Sequence, residues 1–382
     1  MTTTIEGVRD GAVITTCGSF FRGPAPQWYP TDESLQTPDV VGDYLARGWM
    51  PKAAFVTKET PIVAFGSCFA SNVSNYLAKR GYSVISHGDS SGDGTAYVTK
   101  MGDGMVHTHA ILQQFRWAWK NEQPKVALWH GYKAERFGYD EEARLATKAL
   151  FDRADLFIIT LGLSEVWYDE VTGEVFWRAP PREVFDASRH KFRLSRSDET
   201  KRNLAEIWAL VRAFRPDAKV VLTISPIPLA ATFRDVGCIS ANAVSKAILR
   251  GAVDEFYEET EGKGSNLFYF PSYDMVMYGF DNQWTADRRH VYSHVLDFNM
   301  KVFEHYYCVP GLSKARLDAS YRRARLLDRS IGRDGHAAVA KMSPELQAAQ
   351  LAERRRAVAR RKRSPKYLAA LLVNRIRRRF KF

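Results

Sequence analysis

The chain has 382 residues, 45% of them hydrophobic and 13% aromatic, which is ordinary for a globular protein with a sizeable core. No apolar run approaches the roughly 20 residues of a membrane-spanning helix, and Cys17, Cys68, Cys238 and Cys308 are too far apart for a zinc spacing. The net charge of +12 is confined to the end of the chain: residues 351–382 hold thirteen Lys or Arg against one acid, Glu353, so the first 350 residues are neutral in sum. That distribution argues against a nucleic-acid footprint on the body.

Residues 1–60 are rich in Thr, Pro and Gly and read as an irregular segment wrapping the body. Ile62–Phe65 is a short apolar run, the pattern of a strand buried on both faces. Gly66-Ser67-Cys68 interrupts it. Phe69, Val73, Tyr76 and Leu77 then recur at helical spacing until Gly81, a residue suited to ending a helix. Tyr82–Ser86 reads as a second strand, and the glycine-rich residues 87–105 as a long loop.

Helical spacing returns over His107–Trp119 and again over 141–152. Asp155–Leu161 is a buried strand ending in Gly162-Leu163-Ser164-Glu165. Residues 171–197 look like an insertion outside the sheet. Asp198–Phe214 predicts a helix, Lys219–Ile224 a strand, 239–260 a helix, Asn266–Phe270 a last strand and Val291–Tyr306 a last helix. Strands alternating with helices predict an α/β protein with a parallel, doubly wound sheet. In such sheets ligands sit beyond the carboxyl ends of the strands, where Ser67, the Gly162 turn and the residues after Phe270 converge.

Two readings fit the Gly66–Cys68 turn. A hydroxyl between a strand end and a helix N-terminus meets open N–H groups and the positive end of the helix dipole, the setting for nucleophilic attack on an acyl carbon. Equally, Ser67 fits a plain helix cap. Near the end of the chain, Asp287 and His290 are three apart, a spacing at which a carboxylate can orient an imidazole that takes a proton from Ser67. A metal held by Asp287, His290 and His294 is a competing reading. So is a simple helix start with a solvated histidine. Trp117, Trp119, Trp129, Trp167, Trp177 and Trp284 serve either as sugar-stacking faces or as packing.

Gly66-Ser67-Cys68-Phe69-Ala70 resembles the signature of the GSCFA family, a branch of the SGNH (GDSL-like) hydrolase superfamily. The resemblance runs over about residues 40–310. It is supported by TLGLSEVW at 160–167, SPIP at 225–228 and PSYD at 271–274, ahead of DRRH at 287–290. It implies a three-layer α/β/α fold, with Ser67 as nucleophile, Asp287 as orienting acid and His290 as base. It also implies an oxyanion hole built from the Ser67 N–H, a glycine at Gly104 or Gly102, and an asparagine in a third block. Ser164 stands where that asparagine is usual. Glu165 and Trp167 are expected to shape the site.

The chain then divides into an irregular segment over 1–40, a GSCFA/SGNH-like catalytic domain over 41–312 and a basic helical tail over 313–382. The expected function is a serine-dependent acyl esterase or O-acyltransferase acting on a carbohydrate or cell-envelope glycan. It needs no cofactor beyond an acyl donor if it transfers. The alternative is a catalytically silent glycan-binding or assembly factor docked at a membrane. The tail carries Tyr367, Leu368, Leu371, Leu372, Ile376 and Phe380 on one helical face among arginines, the pattern of a helix lying on an anionic membrane surface. With no basic-then-apolar leader at Met1, the expected location is the cytoplasm, peripheral to the inner face of the membrane, with no nucleic-acid partner.

Overall fold

The computed structural model describes residues 4–9, 12–17, 27–37, 39–87, 96–123, 125, 129–131, 133–260 and 266–335. The chain opens with an antiparallel hairpin, β1 (Thr4–Arg9) and β2 (Ala12–Cys17), where the composition suggested irregular structure. From residue 27 it wraps the body as expected, burying Leu35, Val40, Val41, Leu45 and Val56.

The central sheet is built from β3 (Ile62–Gly66) and later strands, reached through α1 (Cys68–Ala78), α2 (Tyr97–Lys100), α3 (Thr108–Lys120) and α4 (Glu141–Arg153). Next come β4 (Leu156–Leu161), the antiparallel pair β5 (Glu165–Asp169) and β6 (His190–Leu194), α5 (Ser197–Phe214), β7 (Lys219–Ile224), α6 (Cys238–Glu259) and β8 (Leu267–Phe270). Three helices close the described chain: α7 (Ser272–Tyr278), α8 (Ser293–Tyr307) and α9 (Lys314–Asp334). The sheet order is β3-β4-β7-β8, all parallel. Val84 adds a single parallel bridge to Ile62 on the outer edge of β3, so the expected strand at 82–86 is reduced to one pairing.

The continuous apolar strands have a simple cause. Both faces of the sheet are covered, so every residue of β3 and β4 is buried. Alternate side chains serve opposite layers. Val63, Phe65, Phe157 and Ile159 pack toward α3, α4, α5 and α6, whereas Ile62, Ala64, Leu156 and Ile158 pack toward α1, α7, α8 and α9. The fold is therefore a three-layer α/β/α sandwich. Phe65 packs on both Phe115 and Phe151, each with ring centroids 5.8 Å away. Truncating such a side chain typically costs about 3–5 kcal/mol.

Helix α9 belongs to this body, and the boundary expected at 312 moves accordingly. Leu317, Tyr321, Ala324 and Ile331 are buried, and Tyr321 Oη donates to the Leu35 carbonyl at 3.0 Å. Asp328, wholly buried, accepts the backbone N–H groups of Asp281 and Asn282 at 3.1 and 2.7 Å. The remainder of the expected tail, residues 336–382, lies outside the described residues. Among the described residues no helix is long and apolar enough to cross a membrane.

The chain leaves β3 toward Val84 through α1 on one face, then returns to β4 and leaves it through α5 on the other. Connections departing to opposite faces open a crevice at the strands' carboxyl ends. Here that crevice lies between β3 and β4.

Candidate functional site

Ser67 follows β3 directly and caps α1. Gly66 before it has φ +131°, and a Cβ there would stand 2.1 Å from the Thr160 carbonyl oxygen, so only glycine lets β3 end this close to β4. The Ser67 N–H donates to Thr160, 2.7 Å from its Oγ1 and 3.0 Å from its carbonyl oxygen. The Ser67 hydroxyl lies 3.0 Å from Thr160 Oγ1 and accepts the Phe69 N–H at 3.3 Å. The capping reading is thus literally met, and the same hydroxyl lines a cleft of about 280 Å³.

Beside Ser67 in the cleft wall stand Cys68, Gly104, Val106, Gly162 and Leu163, with Trp167, Phe192 and Phe233 further along. The Cys68 thiol is pushed above its ordinary pKa, first by loss of solvent around the sulfur and then by the nearby Asp103 carboxylate. It is a poor thiolate source, unlike cysteines tuned for attack.

The two expected oxyanion donors differ in fate. Gly104 lines the cleft, but its N–H donates to the Met101 carbonyl at 2.8 Å. Ser164 turns away from the cleft: its N–H donates to Ser245 Oγ at 2.8 Å and its hydroxyl to the Ser245 carbonyl at 2.9 Å. The expectation that Ser164 replaces an asparagine donor therefore meets a side chain committed to α6. The Gly162 and Leu163 N–H groups both donate to the Val106 carbonyl, at 2.7 and 3.2 Å. Glu165 and Trp167 do line the cleft, and Glu165 Oε1 accepts the Thr232 hydroxyl at 2.8 Å.

Asp287 and His290 meet, though not on a helical face, because α8 begins only at Ser293. They sit in a tight turn closed by Thr285 N–H to the His290 carbonyl at 2.8 Å and by pairing of Trp284 with Val291. Asp287 Oδ1 accepts the N–H groups of Arg289 and His290, each at 3.0 Å, and the Thr285 hydroxyl at 2.7 Å. Its other oxygen contacts His290 Nδ1. The carboxyl is held well below its usual range, chiefly by the His290 backbone N–H, then that of Arg289, then the imidazole. Arg288 adopts φ +55° inside this turn.

The pair does not touch Ser67. The His290 side chain is 67% exposed, and among the described residues its only side-chain partner is Asp287. The neighbouring Arg289 takes the inward place: it lines the cleft with Ser67 and Cys68, and its Nε is buried without a hydrogen-bond partner. His294 is buried on α8, stacked on Tyr292 with centroids 5.5 Å apart, and burial lowers its pKa to about 4. Among the described residues no three His, Cys, Asp or Glu side chains are grouped to hold a metal ion, so Asp287, His290 and His294 do not form one.

Several contributors escape sequence reasoning. Lys246 on α6 is 1% exposed and donates to the carbonyls of Gly162 and Ser225, each at 2.6 Å, clamping the ends of β4 and β7. Burial lowers its pKa to about 7. A signal existed: Lys246 falls three residues before Leu249 and seven before Val253, on the apolar stripe of its helix. His107 also lines the cleft, with Nδ1 accepting the Ala110 N–H at 3.2 Å and Nε2 bonded to the Phe176 carbonyl at 3.0 Å. Its burial pushes the imidazole pKa down to about 3. Of the tryptophans, Trp117, Trp119 and Trp129 are core, while Trp167 and Trp177 reach the cleft.

Residues 61–303 match the sequence profile described as the GSCFA family, a span running from the start of β3 into α8. No curated protein matches the chain.

Proposed function

The chain belongs to the GSCFA family, and from that premise we propose that it is a serine-dependent acyl esterase or O-acyltransferase of the SGNH kind, acting on O-acyl groups of a carbohydrate or cell-envelope glycan. The observation that carries this reading is Ser67: a hydroxyl at the crevice between β3 and β4, at the N-terminus of α1, opening on a cleft. The Asp287–His290 pair, held in the turn whose Arg289 enters that cleft, supports it.

In this mechanism Ser67 Oγ leaves Thr160 and attacks the ester carbonyl, forming an O–C bond. His290 Nε2 takes the hydroxyl proton while Asp287 holds Nδ1. His290 stands outside the cleft, so this step requires the 285–290 turn to bring the imidazole to Ser67. The tetrahedral oxyanion forms at the positive end of α1, with the buried Lys246 side chain holding the Gly162 carbonyl behind it. Collapse breaks the ester C–O bond, and His290 returns the proton to the leaving alcohol. Water or a sugar hydroxyl then attacks the acyl-serine through the same steps in reverse. No cofactor enters.

A second reading, a catalytically silent glycan-binding or assembly factor, draws on the same geometry. The Ser67 N–H is bonded to Thr160, Ser164 faces α6 and His290 does not reach Ser67. Hydrolysis of a chromogenic ester, lost in Ser67→Ala, with a fluorophosphonate adduct on Ser67, supports the enzyme. A wild-type rate equal to that of Ser67→Ala, with no adduct, leaves the binding factor. In either case the basic residues 351–382 are proposed to hold the protein at an anionic membrane surface.

A further inference from the structure

We propose that the cleft in front of Ser67 is an acyl-chain site, built for an apolar acyl group longer than acetyl. This rests on the serine-acyl reading above and specifies its substrate. Beyond Leu163, the apolar part of the wall is formed by Trp167, Phe192, Ile227, Leu229 and Phe233. Three of these make an aromatic cluster: the Trp167 centroid lies 5.6 Å from Phe192 and 4.9 Å from Phe233, and those two rings are 5.4 Å apart.

The cluster is not core packing that stops at the surface. Phe233 is 57% exposed, and Phe185, whose ring lies 5.9 Å from Trp167, is 46% exposed. Val184 beside Phe185, and Val236 and Ile239 following Phe233, are exposed as well. Apolar surface thus runs from the cleft wall out to solvent, as on surfaces that meet an apolar ligand.

Polar groups decide against a sugar ring at the aromatic wall. His107 has both ring nitrogens bonded, Lys246 occupies the Gly162 and Ser225 carbonyls, and Glu165 Oε1 holds Thr232. Sugar hydroxyls laid against the Trp167, Phe192 and Phe233 rings would exchange water for few partners, whereas Arg178 and Arg289, which also line the cleft, can meet polar groups of the alcohol portion. An alkyl chain loses nothing and gains from each methylene removed from water. The acyl chain therefore lies against the aromatic wall, and the alcohol portion of the ester stays off that wall.

The test is a series of p-nitrophenyl esters from acetate to octanoate. The ratio kcat/KM rises about fourfold per methylene up to hexanoate. Phe233→Ala, a change at an exposed side chain, lowers the hexanoate-to-acetate ratio by about tenfold. In parallel, octanoate binding to Ser67→Ala is read by tryptophan fluorescence, which needs no turnover. Turnover that falls with chain length, with no octanoate binding, overturns the acyl site and leaves the serine reading standing. Octanoate binding that Phe233→Ala weakens, with no ester hydrolysed, supports the acyl site and removes the serine reading. Neither turnover nor binding overturns both.

Discussion

Ser67 Oγ lies 3.0 Å from Thr160 Oγ1, and the same threonine receives the Ser67 N–H through both its hydroxyl and its carbonyl oxygen. The two residues end adjacent parallel strands, with Gly66 paired to Thr160 in register. Thr160 therefore sets the resting position of the hydroxyl that caps α1.

Replacing Thr160 by Val keeps the shape and removes the hydroxyl. The Ser67 N–H keeps its bond to the Thr160 carbonyl, so the expected loss of stability is about 1–2 kcal/mol. Turnover falls less than tenfold, because the proposed nucleophile remains. Ser67→Ala, by contrast, abolishes turnover, while Cys68→Ala leaves it within about tenfold. Urea unfolding and ester hydrolysis measure the two effects separately. A Cys68→Ala variant as inactive as Ser67→Ala would overturn this assignment.

The Asp287 carboxylate is expected to act only through His290. Asp287→Asn and His290→Ala should each lower kcat by about a thousandfold or more, and the double variant should be no worse than the more damaged single one. Circular dichroism should stay native, because the turn is exposed. Sign also matters: the carboxyl pKa is depressed in the folded chain, so its contribution to the turn is present above the ordinary carboxylate range and disappears only in strong acid. Multiplicative losses in the double variant would mean that the two residues act independently.

Lys246 makes a prediction of opposite sense. Its pKa is lowered to about 7 by burial, so between about pH 7 and the ordinary lysine value near 10.4 the unfolded chain binds more protons than the folded one. Stability therefore rises with pH across that window. Below it, the folded protein carries the full penalty of a buried ammonium. Lys246→Met removes the titration but leaves the Gly162 and Ser225 carbonyls unpaired. The unfolding free energy of wild type relative to this variant should increase steadily from pH 7 to pH 10, and a flat difference would refute the buried titration.

The end of the chain divides by function at a later point than residue 312. Truncation after residue 335 keeps α9 and should leave stability and soluble-ester hydrolysis intact. Truncation after 312 exposes the surface that covers Leu317, Tyr321 and Ile331 and strands the Asp281 and Asn282 N–H groups that Asp328 accepts, so the product should unfold at far lower denaturant. The full chain should float with anionic liposomes at low salt, and the 335-residue form should lose that flotation. Equal flotation of full chain with anionic and neutral liposomes would dismiss the membrane role of residues 351–382.

What the sequence by itself determined is the layered fold. Ile62–Gly66, Leu156–Leu161 and Lys219–Ile224 are apolar at every or nearly every position because helices cover both faces of their sheet, and that leaves an unmistakable run. The helices around them announce their buried faces by period, and Ser67 between such a strand and such a helix is legible from local order alone. The tertiary structure alone decided the rest. Residues 82–86 retain one bridge, and 165–194 supply the antiparallel pair β5–β6, because pairing depends on which distant backbone lies alongside. In DRRH the spacing brought Asp287 to His290, but whether Arg289 or His290 faces Ser67 depends on a tight turn whose Arg288 takes a left-handed conformation. Ser164 and Lys246 are settled in the same way, by acceptors 81 and 84 residues away. A hydrogen bond goes to the partner that folding delivers, and sequence neighbours cannot say which one arrives.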